Sequence, residues 1–228
     1  MSEALHDSQY YDAAAPSSLS ERVMIAARDR IYADFLRLCA PTASDRILDV
    51  GVSDVVGDGA NMLERKYPHP DNITAVGLGG GQDFRAAFPL VAYQRIVAGE
   101  PLPFADQSFD IVTSNAVIEH VGGPDRQAAF VAELARVARQ VFISAPNRWF
   151  PVEHHTAIPL LHYTRPTFTA ACRALGKASW LEEDELVLVG PADLKALAPA
   201  GRAARVGYSG LPLGPFSSNL YLHLAPAG

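Results

Sequence analysis

The sequence predicts an α/β fold in which a doubly wound, mostly parallel sheet ends in an antiparallel hairpin. Short apolar strands alternate with helical segments from about residue 44 onward, and glycine or an acid follows several of them. Such alternation is typical of a parallel sheet covered on both faces, and right-handed crossovers make it open and doubly wound. The last two strands are joined by a glycine- and proline-rich loop in which no helix fits, so we expect them to pair antiparallel.

The elements can be placed in order from apolar periodicity. Apolar residues at spacings of three and four predict a first helix over 20–38. The predicted strands are 46–51, 73–77, 93–97, 109–114, 140–145, 202–208 and 219–224. The predicted helices between them are 61–67, 82–88, 125–138, 166–175 and 191–197. We therefore divide the chain into a flexible N-terminal segment with a helical cover, 1–43, and one domain, 44–228.

Composition and charge narrow the class of protein. The chain has 228 residues, 49% of them hydrophobic and 19% charged, which is typical of a globular domain. A net charge of −6 disfavours a nucleic-acid partner, and two cysteines cannot form a disulfide framework. The N-terminus is polar and acidic, and no apolar run approaches the roughly 18 residues of a membrane span. We expect a cytoplasmic protein without a membrane span.

Five short motifs follow one another near the strand ends, where open α/β sheets bind their ligands. They are Leu48-Asp49-Val50-Gly51, Glu100-Pro-Leu-Pro-Phe104, Ser108-Phe-Asp-Ile-Val112, Glu119-His-Val121 and Glu133-Leu-Ala-Arg-Val137. Their order and spacing, over about residues 44–150, resemble those of the class I S-adenosylmethionine-dependent methyltransferases of the type 11 group. The segment from Pro146 to His155 also resembles a bacterial subgroup. The resemblance implies a Rossmann-like, seven-stranded sheet, S-adenosyl-L-methionine as cofactor and methyl transfer as the activity.

The resemblance also assigns the cofactor-binding residues. The acid that ends the first strand lies near the methionyl ammonium in this family, an acid after the third strand accepts from the adenine amino group, and residues after the fourth strand lie beneath the sulfonium. Gly51 allows a tight turn and a close approach of the ligand to the backbone. The resulting candidates are Asp49, Gly51, Ser53, Gly79, Gln82, Asp83, Gly99, Glu100, Asn115 and Ala116.

Two departures from the family pattern concern the glycine loop and the ribose. Ser53 replaces the second glycine of the loop, and the next glycines, Gly57 and Gly59, come late. No acid stands near Leu78 and Gly79, where the family chelates the ribose hydroxyls. The alternatives are that Gln82 or Asp83 reaches back to the ribose, that backbone groups hold the ribose, or that the affinity for the cofactor is poor. Equally, this is a mobile glycine-rich loop with Asp83 as a helix N-cap.

Histidines cluster after the fourth and fifth predicted strands. His120, His154 and His155 are candidate general bases for a hydroxyl nucleophile, since imidazole exchanges protons near neutral pH. His120 alternatively only holds a loop in place, and many methyltransferases work largely by positioning. Glu153, His154 and His155 form two-thirds of a metal site, but no further acid lies at supporting spacing, so no metal is predicted.

We therefore predict methyl transfer from S-adenosylmethionine to an O or N nucleophile of a small molecule, such as a saccharide or a secondary metabolite, by a monomer or homodimer. An apolar stretch after the fifth strand, from Trp149 to Leu161, covers an apolar or lipid-linked acceptor, or packs against the first helix. The alternative function is a non-catalytic relative that acts as a binding or partner subunit. A nicotinamide-dependent oxidoreductase is disfavoured because no GxGxxG follows the first strand.

Overall fold

A computed structural model describes residues 19–54, 56, 61–181 and 186–226. Its strands are β1 (Ile47–Val50), β2 (Ile73–Gly77), β3 (Ala92–Arg95), β4 (Phe109–Asn115), β5 (Ala138–Pro146), β6 (Ala204–Ser209) and β7 (Asn219–Leu224). Its α-helices are α1 (Leu19–Cys39), α2 (Met62–Lys66), α3 (Gln82–Ala87), α4 (Pro124–Val137), α5 (Arg165–Ala174) and α6 (Pro191–Ala196). Each predicted strand and helix is present, with ends that shift by a few residues.

All seven strands form one sheet in the order β3-β2-β1-β4-β5-β7-β6. The first five pair in parallel, and β7 pairs antiparallel with both β5 and β6. The predicted fold class and the terminal hairpin are confirmed. Chain order reverses at β1, between β2 and β4, and the crevice at such a switch point is where open sheets bind ligands.

Two apolar cores cover the faces of the sheet. On one face, α4 and α6 bury Val131, Leu134 and Leu194 against the strands. On the other face, α1 buries Ile31, Phe35 and Cys39 against β5 and β7, where the Phe35 ring meets the Phe142 ring edge-on. The periodicity predicted for α1 therefore corresponds to a buried stripe along the helix.

Small polar contacts fix the ends of the strands. The Asp110 carboxylate accepts a hydrogen bond from the backbone N–H of Arg46 at 2.9 Å and so braces the start of β1. The loop between β6 and β7 contains a 3-10 turn at Gly214–Phe216, although we expected no helix there. Pro215 favours such a turn because its ring fixes φ, and Gly214 takes a left-handed φ of 57° before it.

Among the helices of the described ranges, none combines the length and the apolar character that a membrane crossing requires.

Candidate active site

A glycine turn at the carboxyl end of β1 lies at the centre of the site. Gly51 has a φ of 95°, and a side chain there would place its Cβ 2.3 Å from a methyl group of Val117. The backbone N–H groups of Gly51 and Val52 both donate to the Val76 carbonyl, at 2.8 and 3.1 Å. The turn therefore needs glycine for its conformation and for the close approach of the β4 end.

Two buried carboxyl groups face one another beside this turn. Asp49 lies on β1 and Glu64 on α2, and both are almost fully buried. Burial raises the pKa of Asp49 well above its usual range, and the negative charge of Glu64 raises it further. Burial likewise raises the pKa of Glu64 to about 7. Neither Glu64 oxygen has a donor within hydrogen-bonding distance in the part of the chain that the structure describes, so the pair favours a proton or a cation.

A cavity opens next to this carboxyl pair. It is lined from β1 and the following turn, from the ends of β4 and β5, and from one face of α1. The lining includes Asp49, Gly51, Val52, Asn61, Thr113, Asn115, Ser144, Arg28, Ile31, Tyr32 and Phe35. The N-terminal helix therefore supplies one wall of the cavity, and its role as a cover stays a prediction.

The segment after Gly51 is held by a side-chain amide. Ser53 is buried, and its backbone N–H donates to Asn61 Oδ1 at 3.1 Å while its carbonyl accepts from Asn61 Nδ2 at 2.8 Å. Asn61 itself has a left-handed φ of 52°. Ser53 thus lies beside the cavity, whereas Gly57 and Gly59 lie outside the described residues.

The glycine-rich segment after β2 is tied down by donors from its neighbours. The carbonyls of Leu78, Gly79 and Gly80 accept from Arg95 Nε at 2.9 Å, Tyr93 Oη at 2.7 Å and an Arg85 guanidinium nitrogen at 2.9 Å. Three successive carbonyls therefore have side-chain donors, which does not fit the mobile loop that we considered.

Asp83 does not cap the following helix, as one of our alternatives held. Gly81 is the N-cap, and Asp54 reaches over from the loop after β1. Its carboxylate accepts from the backbone N–H of Phe84 at 2.9 Å and of Gln82 at 3.3 Å. Gln82 and Asp83 are exposed in the first turn of α3. An acid therefore does reach the segment after β2, but it comes from the loop after β1.

After β3 the chain turns through Gly99, with a φ of 80°, to the exposed Glu100. Arg136 on α4 anchors the residues that follow. Its guanidinium donates to the carbonyls of Leu102 and Phe104 and pairs with Glu133, at 2.7–3.0 Å. The Glu133 and Arg136 motif therefore positions the loop that carries Glu100, and we expect it to have no contact with the ligand.

Asn115 ends β4 and lines the cavity, and Ala116 follows it. Asn115 accepts a short hydrogen bond from the Ser144 hydroxyl of β5. Ala116 has a left-handed φ of 54°, and its N–H donates to the Ser144 carbonyl at 2.9 Å. A non-glycine residue in this region is strained, and such strain is found most often at functional sites.

Beyond β4, a buried cluster brings together two histidines and two glutamates. His120 Nε2 and His155 Nε2 are 3.2 Å apart, and Glu119 Oε1 lies 3.9 Å from each of them. Glu153 Oε1 lies 2.8 Å from His155 Nδ1 on the other side of that ring. Burial raises the pKa of Glu119 to about 7, whereas hydrogen bonds from His155 and Thr156 outweigh burial and lower the pKa of Glu153 to about 2.

The other histidines after β5 lie outside this cluster. The His154 ring packs 5.1 Å from the Phe150 ring, and burial lowers its pKa to about 4. His162 is buried with Nε2 3.1 Å from the Arg148 carbonyl. None of His120, His154 and His155 is among the residues that line the cavity, so their role as general bases stays a prediction.

Sequence analysis missed several residues of this region. Glu64 is an acid within a short helix that shows no amphipathic stripe, and Asp54 belongs to no motif. Arg28 and Tyr32 share the helix face of Ile31 and Phe35, so helical periodicity does predict that they lie together. Glu119 lies within one of the predicted motifs, but its proximity to His155 depends on the fold, in which β4 pairs with β5.

Comparison with known families agrees with this architecture. A family model described as "Methyltransferase domain" matches residues 48–141, from β1 to the start of β5. This range contains the glycine turn, the carboxyl pair and the Glu119-His-Val121 motif.

Similar proteins and structures were also found. A demethylmenaquinone methyltransferase of Roseiflexus castenholzii is 40% identical over 111 residues, which cover 45% of this chain and 42% of that protein. The chain thus matches less than half of the length of that relative. The fold is shared with the N-methyltransferase NodS from Bradyrhizobium japonicum, solved with S-adenosyl-L-homocysteine (TM-score 0.59, 10% identity, 98% of each chain).

A magnesium protoporphyrin IX methyltransferase from Synechocystis, also with S-adenosyl-homocysteine bound, gives a TM-score of 0.58 at 12% identity and covers 99% of this chain and 95% of that one. The predicted resemblance is thereby confirmed: residues 48–141 match the methyltransferase-domain model, and the chain shares its fold with methyltransferases solved with S-adenosylhomocysteine bound.

Proposed function

We propose that the protein is an S-adenosylmethionine-dependent methyltransferase that acts on a small-molecule acceptor. The observation that carries the proposal is the buried Asp49 and Glu64 pair beside the Gly51 turn, within the matched domain. S-adenosylmethionine bears an ammonium and a sulfonium, and two buried acids that face one another favour a cationic ligand. We assign the ammonium to Asp49.

The remaining predicted contacts follow the order of the strands. The strands β3, β2, β1 and β4 are successive neighbours in the sheet. The predicted contacts at their ends are Glu100 after β3, Gly79 after β2, Gly51 after β1 and Asn115 at the end of β4. Adjacent strands are about 4.8 Å apart, so these ends form a ledge about 14 Å long. We propose that the adenosine lies toward Glu100 and the sulfonium toward Asn115. Ser53, Gln82, Asp83, Gly99 and Ala116 stay predicted contacts along this ledge.

The reaction follows from the chemistry of the sulfonium. An electron pair of the acceptor, on oxygen, on nitrogen or on a ring carbon of a reduced quinone, forms a bond to the methyl carbon while the carbon–sulfur bond breaks, and the electrons of the broken bond neutralise the sulfonium to a thioether. The products are the methylated acceptor and S-adenosylhomocysteine, and the O–H, N–H or C–H at the methylated position releases its proton to solvent or to a base. We propose that the cavity acts mainly by holding donor and acceptor in line.

For the acceptor, the available similarities favour an apolar ring over a saccharide. Both curated relatives are named for a demethylmenaquinone, and neither is named for a saccharide. Trp149, Leu160 and Leu161 after β5 are about half exposed, which gives an apolar surface on this side of the fold. We therefore place a quinone-type small molecule ahead of the saccharide that the bacterial resemblance suggested.

Calorimetric titration of the full chain with S-adenosylmethionine and S-adenosylhomocysteine tests the cofactor assignment. We expect saturable binding of both, and no binding of NAD. A demethylated naphthoquinone, in oxidised and reduced form, and a saccharide are then incubated with methyl-labelled cofactor, and label transfer is measured by mass. Absence of binding at high micromolar cofactor would overturn the enzyme assignment in favour of a non-catalytic relative, whereas transfer only to the saccharide would overturn the acceptor class.

A further inference from the structure

The cluster after β4 has the arrangement of a metal-ligand triangle. Its three ligand atoms, His120 Nε2, His155 Nε2 and Glu119 Oε1, are separated by 3.2, 3.9 and 3.9 Å. Around a tetrahedral zinc ion with bonds of about 2.0–2.2 Å, neighbouring ligand atoms are about 3.3–3.6 Å apart. Shifts of a few tenths of an ångström therefore bring all three atoms into coordination distance of one ion.

Glu119 supplies the second, independent indication of a ligand. Its side chain is 1% exposed, and neither carboxylate oxygen has a hydrogen-bond partner among the residues that the structure describes. A buried carboxylate without donors is costly, and metal coordination is one of the ways in which proteins compensate that cost. The carboxylate points toward the two imidazole nitrogens, and these atoms all lie within 4.8 Å of one another.

The surroundings of His155 also suit a metal ligand. Its Nδ1 lies 2.8 Å from Glu153 Oε1, and Glu153 is held in turn by the backbone N–H and the hydroxyl of Thr156. A carboxylate accepts hydrogen bonds, so in the neutral ring the proton stays on Nδ1 and the lone pair stays on Nε2. Histidines that bind metals are commonly oriented by such an outer carboxylate.

We propose that Glu119, His120 and His155 form a binding site for one divalent transition-metal ion, with Glu153 as the outer carboxylate that orients His155. Two imidazoles and one carboxylate suit zinc and its neighbours in the first transition row better than calcium or magnesium. Three protein ligands leave at least one coordination position for water or for a substrate oxygen. The histidines are 15% and 11% exposed, so an ion can reach them from solvent.

Titration of chelator-treated full-length protein with Zn²⁺ by calorimetry tests the site directly, without any methyl-transfer assay. We expect one ion per chain, a rise in melting temperature on binding, and the absorption of a low-coordinate ion when Co²⁺ replaces Zn²⁺. Glu119→Gln, His120→Asn and His155→Asn are each expected to weaken binding at least about 100-fold, and Glu153→Gln about 10- to 100-fold.

A matched control separates this site from general binding by histidine. His69→Gln removes a histidine that packs on Tyr67, outside the cluster, and is expected to retain wild-type affinity. If Glu119→Gln does not fold, as judged by circular dichroism, the partly exposed His120→Asn still decides the matter. Absence of stoichiometric binding to the wild type, or equal binding by the cluster variants, would overturn the proposal and leave a hydrogen-bonded histidine pair.

Discussion

Asp49 and Glu119 are buried carboxylates near the ends of two neighbouring strands, β1 and β4, and they differ in the groups that face them. Asp49 at the end of β1 faces a second acid, Glu64, beside an open cavity. Glu119, just after β4, faces two imidazole nitrogens at 3.9 Å. Burial is the largest cause of the raised pKa in both places. The facing group therefore determines what each carboxylate can bind. Two facing acids favour a cationic ligand, whereas an acid that faces two imidazoles offers a set of metal ligands.

The two regions are connected through a close contact. Gly51, beside Asp49, packs against Val117, which is two residues before Glu119. The backbone at one site therefore limits the position of the other. Substitutions at Asp49, Gly51 and Glu64 can show whether the sites are independent.

The largest effect is expected for Asp49→Asn. Removing the carboxylate removes the charge that we assign to the ammonium, so S-adenosylhomocysteine should bind about 100-fold more weakly, roughly 3 kcal/mol, as measured by calorimetry near pH 8. Asp110→Asn is the matched control, because Asp110 braces β1 at its opposite end. Unchanged affinity in Asp49→Asn would contradict the assignment of the cavity.

Gly51→Ala should act on both regions. Its φ of 95° and the 2.3 Å approach to Val117 leave no space for a Cβ, so we expect a loss of about 2–3 kcal/mol in the free energy of unfolding in urea, together with weaker zinc binding. Gly80→Ala is the control, since no atom lies within 4 Å of a Cβ there and its φ is not left-handed. Equal stability of the two variants would show that Val117 moves aside freely.

The succession of strands and helices along the chain could be predicted from the sequence because the relevant signals are local. Most strands are short apolar runs, glycine or an acid follows several of them, and each helix has its own periodicity. The glycine turn and Asp49 belong to one such run. The antiparallel hairpin of β6 and β7 was predicted for the same reason. Its position in the sheet, with β7 between β5 and β6, depends on packing between distant segments.

The contacts that define the two sites were not predictable because they join distant positions. Glu64 lies 15 residues after Asp49 in sequence, and His155 lies 35 residues after His120. We sought a third metal ligand near Glu153 and His154 by spacing, whereas pairing of β4 with β5 brings Glu119 to His155. His154, which is adjacent in sequence, instead packs against Phe150.

The pH dependence of stability should distinguish the acid pair from an ordinary surface pair. Burial raises the pKa of Glu64 to about 7 in the folded chain, above its usual value of 4.5, so folding favours the protonated form. This contribution is complete below about pH 4.5 and is lost as the pH rises toward 7. Between pH 5 and pH 8 the free energy of unfolding should therefore fall by about 2 kcal/mol less in Glu64→Gln than in the wild type, as measured by urea unfolding. Parallel curves for the two proteins would show that the proton is not held at Glu64.

The smallest effect tests the acid that reaches the β2 end. Asp54→Ala removes the carboxylate that accepts from the N–H groups of Gln82 and Phe84, so we expect a loss of about 1 kcal/mol in unfolding free energy and a change of only a few-fold in S-adenosylhomocysteine affinity. Asp83→Ala lies in the same helix turn but is exposed, and it should change stability by less than about 0.5 kcal/mol. If Asp83→Ala lowers the unfolding free energy more than Asp54→Ala does, Asp83 supplies the helix cap, as we first considered. If Asp54→Ala abolishes cofactor binding, its carboxylate contacts the ligand as well as the helix, and a third acid then joins the comparison between the two regions.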